Sequence, residues 1–228
     1  AMKKIMFNDK YSLTQAVLDG RKTMTRRIIK CPRTFKGEWV AGFNIHRRHS
    51  DKKIVGWPCM YDADEREFDM GEILSKYKVG EVLAIAQSYE SLGMNPEIAL
   101  NDRDGIGFYT KTKFAPGWKN KMFVRADLMP HHIRITNIKI ERLQDISDED
   151  CLAEGVVKVT HTVPTKAPQC LISYYPCLSL KEAADKVGWG ITYSTPQLAF
   201  AALIDKVSGR DTWGSNPYVF AYEFELID

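Results

Sequence analysis

A lysine and a threonine three positions apart, Lys22 and Thr25, sit inside the stretch Gly20-Arg21-Lys22-Thr23-Met24-Thr25-Arg26-Arg27. A threonine hydroxyl is a poor nucleophile at neutral pH and needs a base beside it. A lysine amine serves as that base when burial or nearby cations favour its neutral form. Arg21, Arg26 and Arg27 are the nearby cations. Glu154, at the end of a short helical stretch just before Gly155, is the third candidate, because a carboxylic acid there can protonate a leaving amine. The plain alternative is structural, with Glu154 pairing to Arg26 or Lys22 and holding a corner of the chain to the helix.

The elements around this stretch must form a corner. Leu13, Ala16 and Val17 fall at helical spacing, Asn8 or Asp9 can cap the start, and Gly20 suits the left-handed position that ends a helix. A strand running through Ile28 and Ile29 then follows. Alternation puts Lys22, Met24 and Arg26 on one face and Thr23, Thr25 and Arg27 on the other. A twist or bulge near Gly20 would be needed to turn Lys22 and Thr25 toward one cleft.

A wider set of side chains suits a ligand. Arg26 and Arg27 can grip phosphate in bidentate fashion, or form salt bridges to Glu154 or Glu223. Tyr89, Trp213 and Tyr218 can stack on a base or pack in the core. Gln87 can hydrogen-bond a base edge, and Glu90 follows at the end of the same central strand. Arg21, Thr23 and Asn216 complete the candidate binding set. His131 and His132 point to opposite faces of a strand and chelate poorly, His46 and His49 lie in a basic stretch, and no phosphate-cradling glycine loop is present. No metal or cofactor is expected.

The chain has 228 residues, 44% of them apolar, and a formal net charge of +3. That charge is too small to mark a nucleic-acid binder, but its distribution is uneven. Arg21 to Lys36 holds cations and no acid, and a second basic knot runs His46-Arg47-Arg48-His49 to Lys52-Lys53. Acids gather at Asp62–Asp69 and Asp145–Asp150. This fits a phosphate-facing side or, equally, two solvated faces. The five cysteines, Cys31, Cys59, Cys151, Cys170 and Cys177, are odd in number and widely spaced, which fits reduced thiols in a cytoplasm. No apolar run approaches a membrane span, and Met2-Lys3-Lys4-Ile5 reads as the start of folded sequence rather than a signal peptide.

Further along, Lys3–Phe7 reads as a strand, Ile54–Trp57 as a possible strand, and Asp62–Asp69 as an exposed tip. Val82–Tyr89 reads as a buried strand after Gly80. Pro96–Leu100 reads as a helical turn, Gly105–Thr110 as a strand, and Pro116-Gly117 as a turn. His131–Leu143 is the longest β signal, and its phase slip between Ile135 and Ile138 predicts a bulge at Thr136-Asn137. Ser147 caps a short helix that Gly155 ends. Val157–Cys170 reads as an insertion loop. Ser179–Glu182 is a capping box, and Thr195-Pro196 opens a helix whose apolar side is Leu198, Ala201, Ala202, Leu203 and Ile204, with Gly209 as its stop. Tyr218–Ile227 closes as an alternating strand. Strands outnumber helices and no βαβ repeat appears. The expectation is therefore a mainly β fold with α additions (α+β), a closed or nearly closed β-barrel with helices over its ends.

Three blocks in order carry a resemblance. Gly20-x-Lys22-x-x-x-Arg26, then Glu141-Arg142-Leu143-Gln144-Asp145-Ile146-Ser147 with Ala153-Glu154-Gly155, then Trp213-x-x-Asn216-Pro217-Tyr218-Val219-Phe220 with Glu223-Phe224, resemble the ASCH domain family, a branch of the PUA-like β-barrels. Asp19–Arg27 resembles its phage and prophage-associated members in particular. The resemblance implies one PUA-like domain over residues 1–228, with insertions at about 32–70, 90–121 and 157–190. Some small ASCH proteins are amidohydrolases that remove the acetyl group from acetylated cytidine. Their base, nucleophile and acid fall on Lys22, Thr25 and Glu154. Relatives of the phage type carry Arg-Glu where this chain has Ala86-Gln87. The function expected is recognition of RNA, or of a modified nucleotide or nucleoside, in a basic cleft, with amide hydrolysis on an acylated nucleobase as the chemistry if the protein is an enzyme. The alternatives are a non-enzymatic phage-associated RNA-binding module and a ribonuclease.

Overall fold

The computed structural model describes residues 2–97, 99–101, 109–163, 169–187 and 192–228. Strand β1 (Lys3–Ile5) leads through a 3-10 turn at Asp9–Tyr11 into helix α1 (Leu13–Leu18), and β2 (Met24–Ile28) follows. Then come a small hairpin, β3 (Thr34–Phe35) with β4 (Glu38–Trp39), and a three-stranded sheet of β5 (Gly42–Asn44), β6 (Cys59–Tyr61) and β7 (Glu67–Glu72). β8 (Val82–Ile85) precedes the pair β9 (Ala99–Asn101) and β10 (Tyr109–Lys111). The long β11 (His132–Arg142) leads to α2 (Asp148–Ala153) and the hairpin β12 (Val157–Val163) and β13 (Gln169–Tyr175). Helices α3 (Leu178–Val187), α4 (Pro196–Ser208) and α5 (Thr212–Ser215) precede the last strand, β14 (Tyr218–Leu226).

The principal sheet has five strands in the order β1-β8-β11-β14-β2. β1 lies parallel to β8, and the other pairs are antiparallel. Strand alternation sends the β14 side chains to two cores. Phe220, Tyr222 and Phe224 pack with Ile5, Leu83, Ile85, Ile133 and Ile135 on one side. Val219 goes to the other, where Phe200 and Ile204 of α4 meet Cys151 and Leu143. Each large side chain buried in either core, such as Tyr222 at 1% exposure, contributes about 1.5–3 kcal/mol by leaving water.

The sheet does not close, which overturns the barrel expectation. A barrel needs its edge strands to pair, and the edges here, β1 and β2, do not. β1 ends at Ile5 and the chain turns at once toward α1, so too little extended chain remains to reach β2. The architecture is a mixed α/β one with open sheets. One side-chain bond crosses the gap, where Arg27 Nη2 donates to the Met6 carbonyl at 2.6 Å.

Local signals held where short-range chemistry sets them. Gly20 has φ +71° after α1, and the 3-10 turn is capped by the Asn8 side chain, which accepts from Lys10 N. Ser147 Oγ accepts from Asp150 N at 3.1 Å, and Thr195 Oγ1 accepts from Leu198 N at 3.2 Å with Pro196 in the first turn. The β11–β14 register shifts between Ile135 and Asn137, the predicted bulge.

Other expectations fail. Of the loop expected at Val157–Cys170, Val157–Val163 and Gln169–Cys170 are strand instead, since β12 and β13 pair in unbroken register from Val157↔Tyr175 to Val163↔Gln169, and residues 164–168 lie outside the described residues. Ile54–Trp57 forms no strand. It contributes a lone bridge, Ile54 to Arg47, before Gly56 turns at φ +71°. Ala99–Asn101 is strand rather than helical turn, because it pairs with Tyr109–Lys111. Residues 105–108 of the strand expected at Gly105–Thr110 lie outside the described residues. β8 stops at Ile85, short of Tyr89. On α4 the buried face is Ala199, Phe200, Leu203 and Ile204, whereas Leu198 is 51% exposed. Among the described residues no helix is long and apolar enough to cross a membrane.

Candidate functional site

The site is built where the end of α1, the start of β2 and the end of α2 meet. After Gly20, the backbone N–H groups of Arg21 and Lys22 both donate to the Ala16 carbonyl at 2.9 Å, which closes the helix end as a tight turn. Thr23 N donates to the Ala153 carbonyl at 2.9 Å and ties this turn to α2. Because β2 begins only at Met24, Lys22 lies ahead of the strand, and strand alternation does not govern its direction. Lys22 turns inward to 2% exposure. Its Nζ donates to Glu154 Oε2 and to the Glu154 carbonyl, both at 2.6 Å, and sits 5.9 Å from the Phe7 ring centroid.

Glu154 occupies the C-cap of α2, and Gly155 carries the chain away at φ +108°. A Cβ on Gly155 would meet Leu13 Cδ2 at 3.2 Å and Lys22 Cδ at 3.7 Å. Glycine therefore suits this position twice, for the backbone angle and for the tight approach of the Leu13 methyl, while the lysine stem lies at ordinary contact distance.

Arg26 lies on the face of β2 opposite to Thr25, its side chain fully buried. Its Nη1 reaches Glu154 Oε1 at 3.2 Å, Nη2 reaches Asp150 Oδ2 at 2.7 Å, and Nε donates to Glu141 Oε1 at 2.8 Å. Two buried cations thus share three carboxylates. Burial drives the Lys22 pKa below the ordinary lysine value. Glu154 pulls it back up, and the charges of Arg27 and Arg26 push it further down. For Arg26, burial is outweighed by Glu154, Glu141 and Asp150, and the guanidinium is held charged.

Lys22, Thr25 and Glu154 line one cleft of about 510 Å³ at the unpaired edge of β2. Thr25 is 5% exposed, and its hydroxyl has no hydrogen-bond partner among the described residues. Phe7 and Leu13 form one apolar wall, and Phe200, Leu203, Ile204 and Val207 of α4 form the other. A volume of this order, apolar walls and a few converging polar groups are what small-molecule sites share.

The remaining candidates separate. Arg27 lines the cleft and is exposed. Arg26 lines it too, but its donors are committed to carboxylates, so it does not grip phosphate. Arg21 points to solvent and pairs with Asp19. Thr23 faces a different hollow beside Met24 and Glu223. Tyr89 packs with Ala84, Val124 and Met129 in a separate small core. Glu90 is exposed. Gln87 is buried away from the cleft lining, and its Oε1 lacks a partner among the described residues. Trp213 packs edge-on against Phe200 at 6.1 Å, behind the cleft wall. Asn216 holds Gln144 N with its side chain and Arg142 with its carbonyl, a structural role. Tyr218 lies under the Arg142 guanidinium at 3.9 Å.

Sequence reasoning missed Glu141 and Asp150 as partners of Arg26, Lys30 at the cleft mouth, and the α4 wall. The wall left a signal in the spacing Phe200, Leu203, Ile204, Val207, one face of a helix. His132 bonds Asp228 at 2.8 Å, and among the described residues no group of three His, Cys, Asp or Glu side chains is arranged to hold a metal. Comparison with protein-family models, with curated proteins and with solved structures returns no match for this chain.

Proposed function

We propose that the protein is an amidohydrolase that removes an acyl group from an amine on a nucleobase, of the kind that acetylated cytidine represents. The observation that carries this is the convergence on one cleft of an uncommitted Thr25 hydroxyl with a buried Lys22–Glu154 pair 2.6 Å apart. The resemblance of three sequence blocks to the ASCH family supports the same assignment of roles.

The Lys22–Glu154 pair holds one proton between amine and carboxylate, and burial of Lys22 favours the form in which the lysine is neutral. In that form Lys22 Nζ takes the Thr25 proton as Oγ1 bonds to the acyl carbon. Glu154 gives its proton to the leaving nitrogen, the C–N bond breaks, and the acyl group remains as an ester on Thr25. Water then enters in place of the amine and gives a proton to Glu154 as its oxygen bonds to the acyl carbon. The ester C–O bond breaks, and the Lys22 ammonium returns its proton to Thr25 Oγ1. Arg26, anchored by Asp150 and Glu141, holds Glu154 in place throughout.

The test is turnover of acetylated cytidine and a panel of related amides, followed by chromatography of the products, with wild type and Thr25→Val. Release of acetate and cytidine by wild type alone supports the proposal. No turnover across the panel by a folded protein refutes it. The alternative is a non-enzymatic module that binds RNA, favoured by the exposed Arg27 and Lys30 beside the cleft.

A further inference from the structure

The cleft is asymmetric in charge. Its lining includes four cationic side chains, Lys22, Arg26, Arg27 and Lys30, and one carboxylate, Glu154. Lys22 and Arg26 are consumed by Glu154 and, for Arg26, also by Asp150 and Glu141. Arg27 and Lys30 are not. Among the described residues Lys30 has no hydrogen-bond or ion-pair partner, and Arg27 is bonded only through Nη2 to the Met6 carbonyl. That one bond anchors the Arg27 guanidinium across the gap between the sheet edges and leaves its other donors for a ligand. Both residues are exposed.

Their place along the chain gives a direction. Thr25 and Arg27 point to the same face of β2, about 7 Å apart at the backbone, and Lys30 follows beyond the end of the strand. Thr25 is buried and Arg27 and Lys30 are exposed, so the hydroxyl lies deeper in the cleft than the two cations. A ligand spanning them is apolar or planar where it reacts and anionic at the other end.

Resting on the function proposed above, we infer that Arg27 and Lys30 form a phosphate subsite, and that the natural substrate is a phosphorylated form of the acylated nucleoside rather than the free nucleoside. Arg27 offers a fork of N–H donors to two phosphate oxygens, and Lys30 adds a point charge. The phosphate belongs either to a mononucleotide or to a strand, and the two sources share this chemistry.

Titration calorimetry with cytidine, cytidine 5′-monophosphate and a short 5′-phosphorylated oligocytidylate separates the cases. Wild type and Thr25→Val are expected to bind the monophosphate about tenfold or more tightly than cytidine, as charge-assisted hydrogen bonds to one anion allow. Arg27→Gln and Lys30→Gln are each expected to shrink that ratio toward one while cytidine affinity stays put. A monophosphate that matches the oligonucleotide marks a mononucleotide site, and a clear further gain with the oligonucleotide marks a strand. Equal binding of cytidine and its monophosphate, no binding of either, or equal weakening of both by Lys30→Gln overturns the subsite. If phosphate preference persists where turnover is absent, the subsite stands and the hydrolase assignment falls alone.

Discussion

Glu154→Gln should be the most damaging single change in the buried charge cluster. Lys22 has one carboxylate within reach, that of Glu154 at 2.6 Å, whereas Arg26 keeps Asp150 and Glu141 when Glu154 is gone. At that separation and an effective dielectric constant of about 20, the gross attraction is about 6 kcal/mol. Desolvation cancels part of it, and removing one partner of a buried pair costs about 3–5 kcal/mol. For a chain of this size that lowers Tm by about 6–20 °C. The loss should also depend on pH. Without Glu154 the folded-state pKa of Lys22 falls further below its unfolded value. Between the two pKa values the unfolded chain binds more protons, so stability rises with pH there. The deficit against wild type therefore shrinks from about pH 7 to about pH 9.5. Lys22→Met/Glu154→Gln should be more stable than Glu154→Gln alone, because no stranded cation remains. Urea unfolding at both pH values, with m unchanged, measures all three. A pH-independent loss, or a double variant as unstable as the sum of the single ones, would refute the reasoning.

Other outcomes are specific. Because the mechanism needs one proton on the Lys22–Glu154 pair, turnover of acetylated cytidine falls at high pH as that proton is lost, read from kcat against pH. Thr25→Val should lower kcat by at least about a hundredfold while CD spectra and Tm stay near wild type, whereas Thr25→Ser should keep measurable activity, and burst kinetics report the ester. The Cys151 thiol, pushed up to about 12 chiefly by burial, should resist alkylation in the native protein and react only after unfolding, as peptide mass spectrometry would show. Thr195→Ala should cost about 1 kcal/mol through loss of the α4 cap, seen as a lower urea midpoint.

What could be read from sequence was what short stretches decide alone. Ser147, Thr195-Pro196, Gly20 and Gly155 set helix ends with groups a few residues away, and their structures match. The bulge in β11 was legible as a slip in an alternating pattern. Lys22, Thr25 and Glu154 could be singled out as candidates because side-chain types state their own reactivity, and the structure places all three on one cleft. The rest depends on distant partners. Whether the sheet closes depends on how much strand survives between Lys3 and α1, and no local pattern reports that. The commitment of Arg26 could not be told from phosphate binding without knowing that Glu141 and Asp150 lie beside it. Tyr89 and Trp213 are aromatic whether they stack on a base or fill a core. Val157–Val163 looked irregular because its pairing partner lies at Gln169–Tyr175.

The pairing of β2 with β14 fixes the order in which the site can come into existence. Met24 to Ile28 find their partners at Val219 to Glu223, and Lys22 meets Glu154 across 132 positions. Contacts of such long range slow folding, because the intervening chain must be closed before they form. On the ribosome, the strand bearing Thr25 emerges before β14 and must wait for it. A nascent or prematurely terminated polypeptide lacking β14 would carry every proposed reactive residue without the scaffold that aligns them. Competence would then switch on with the arrival of a strand that contributes no side chain to the chemistry.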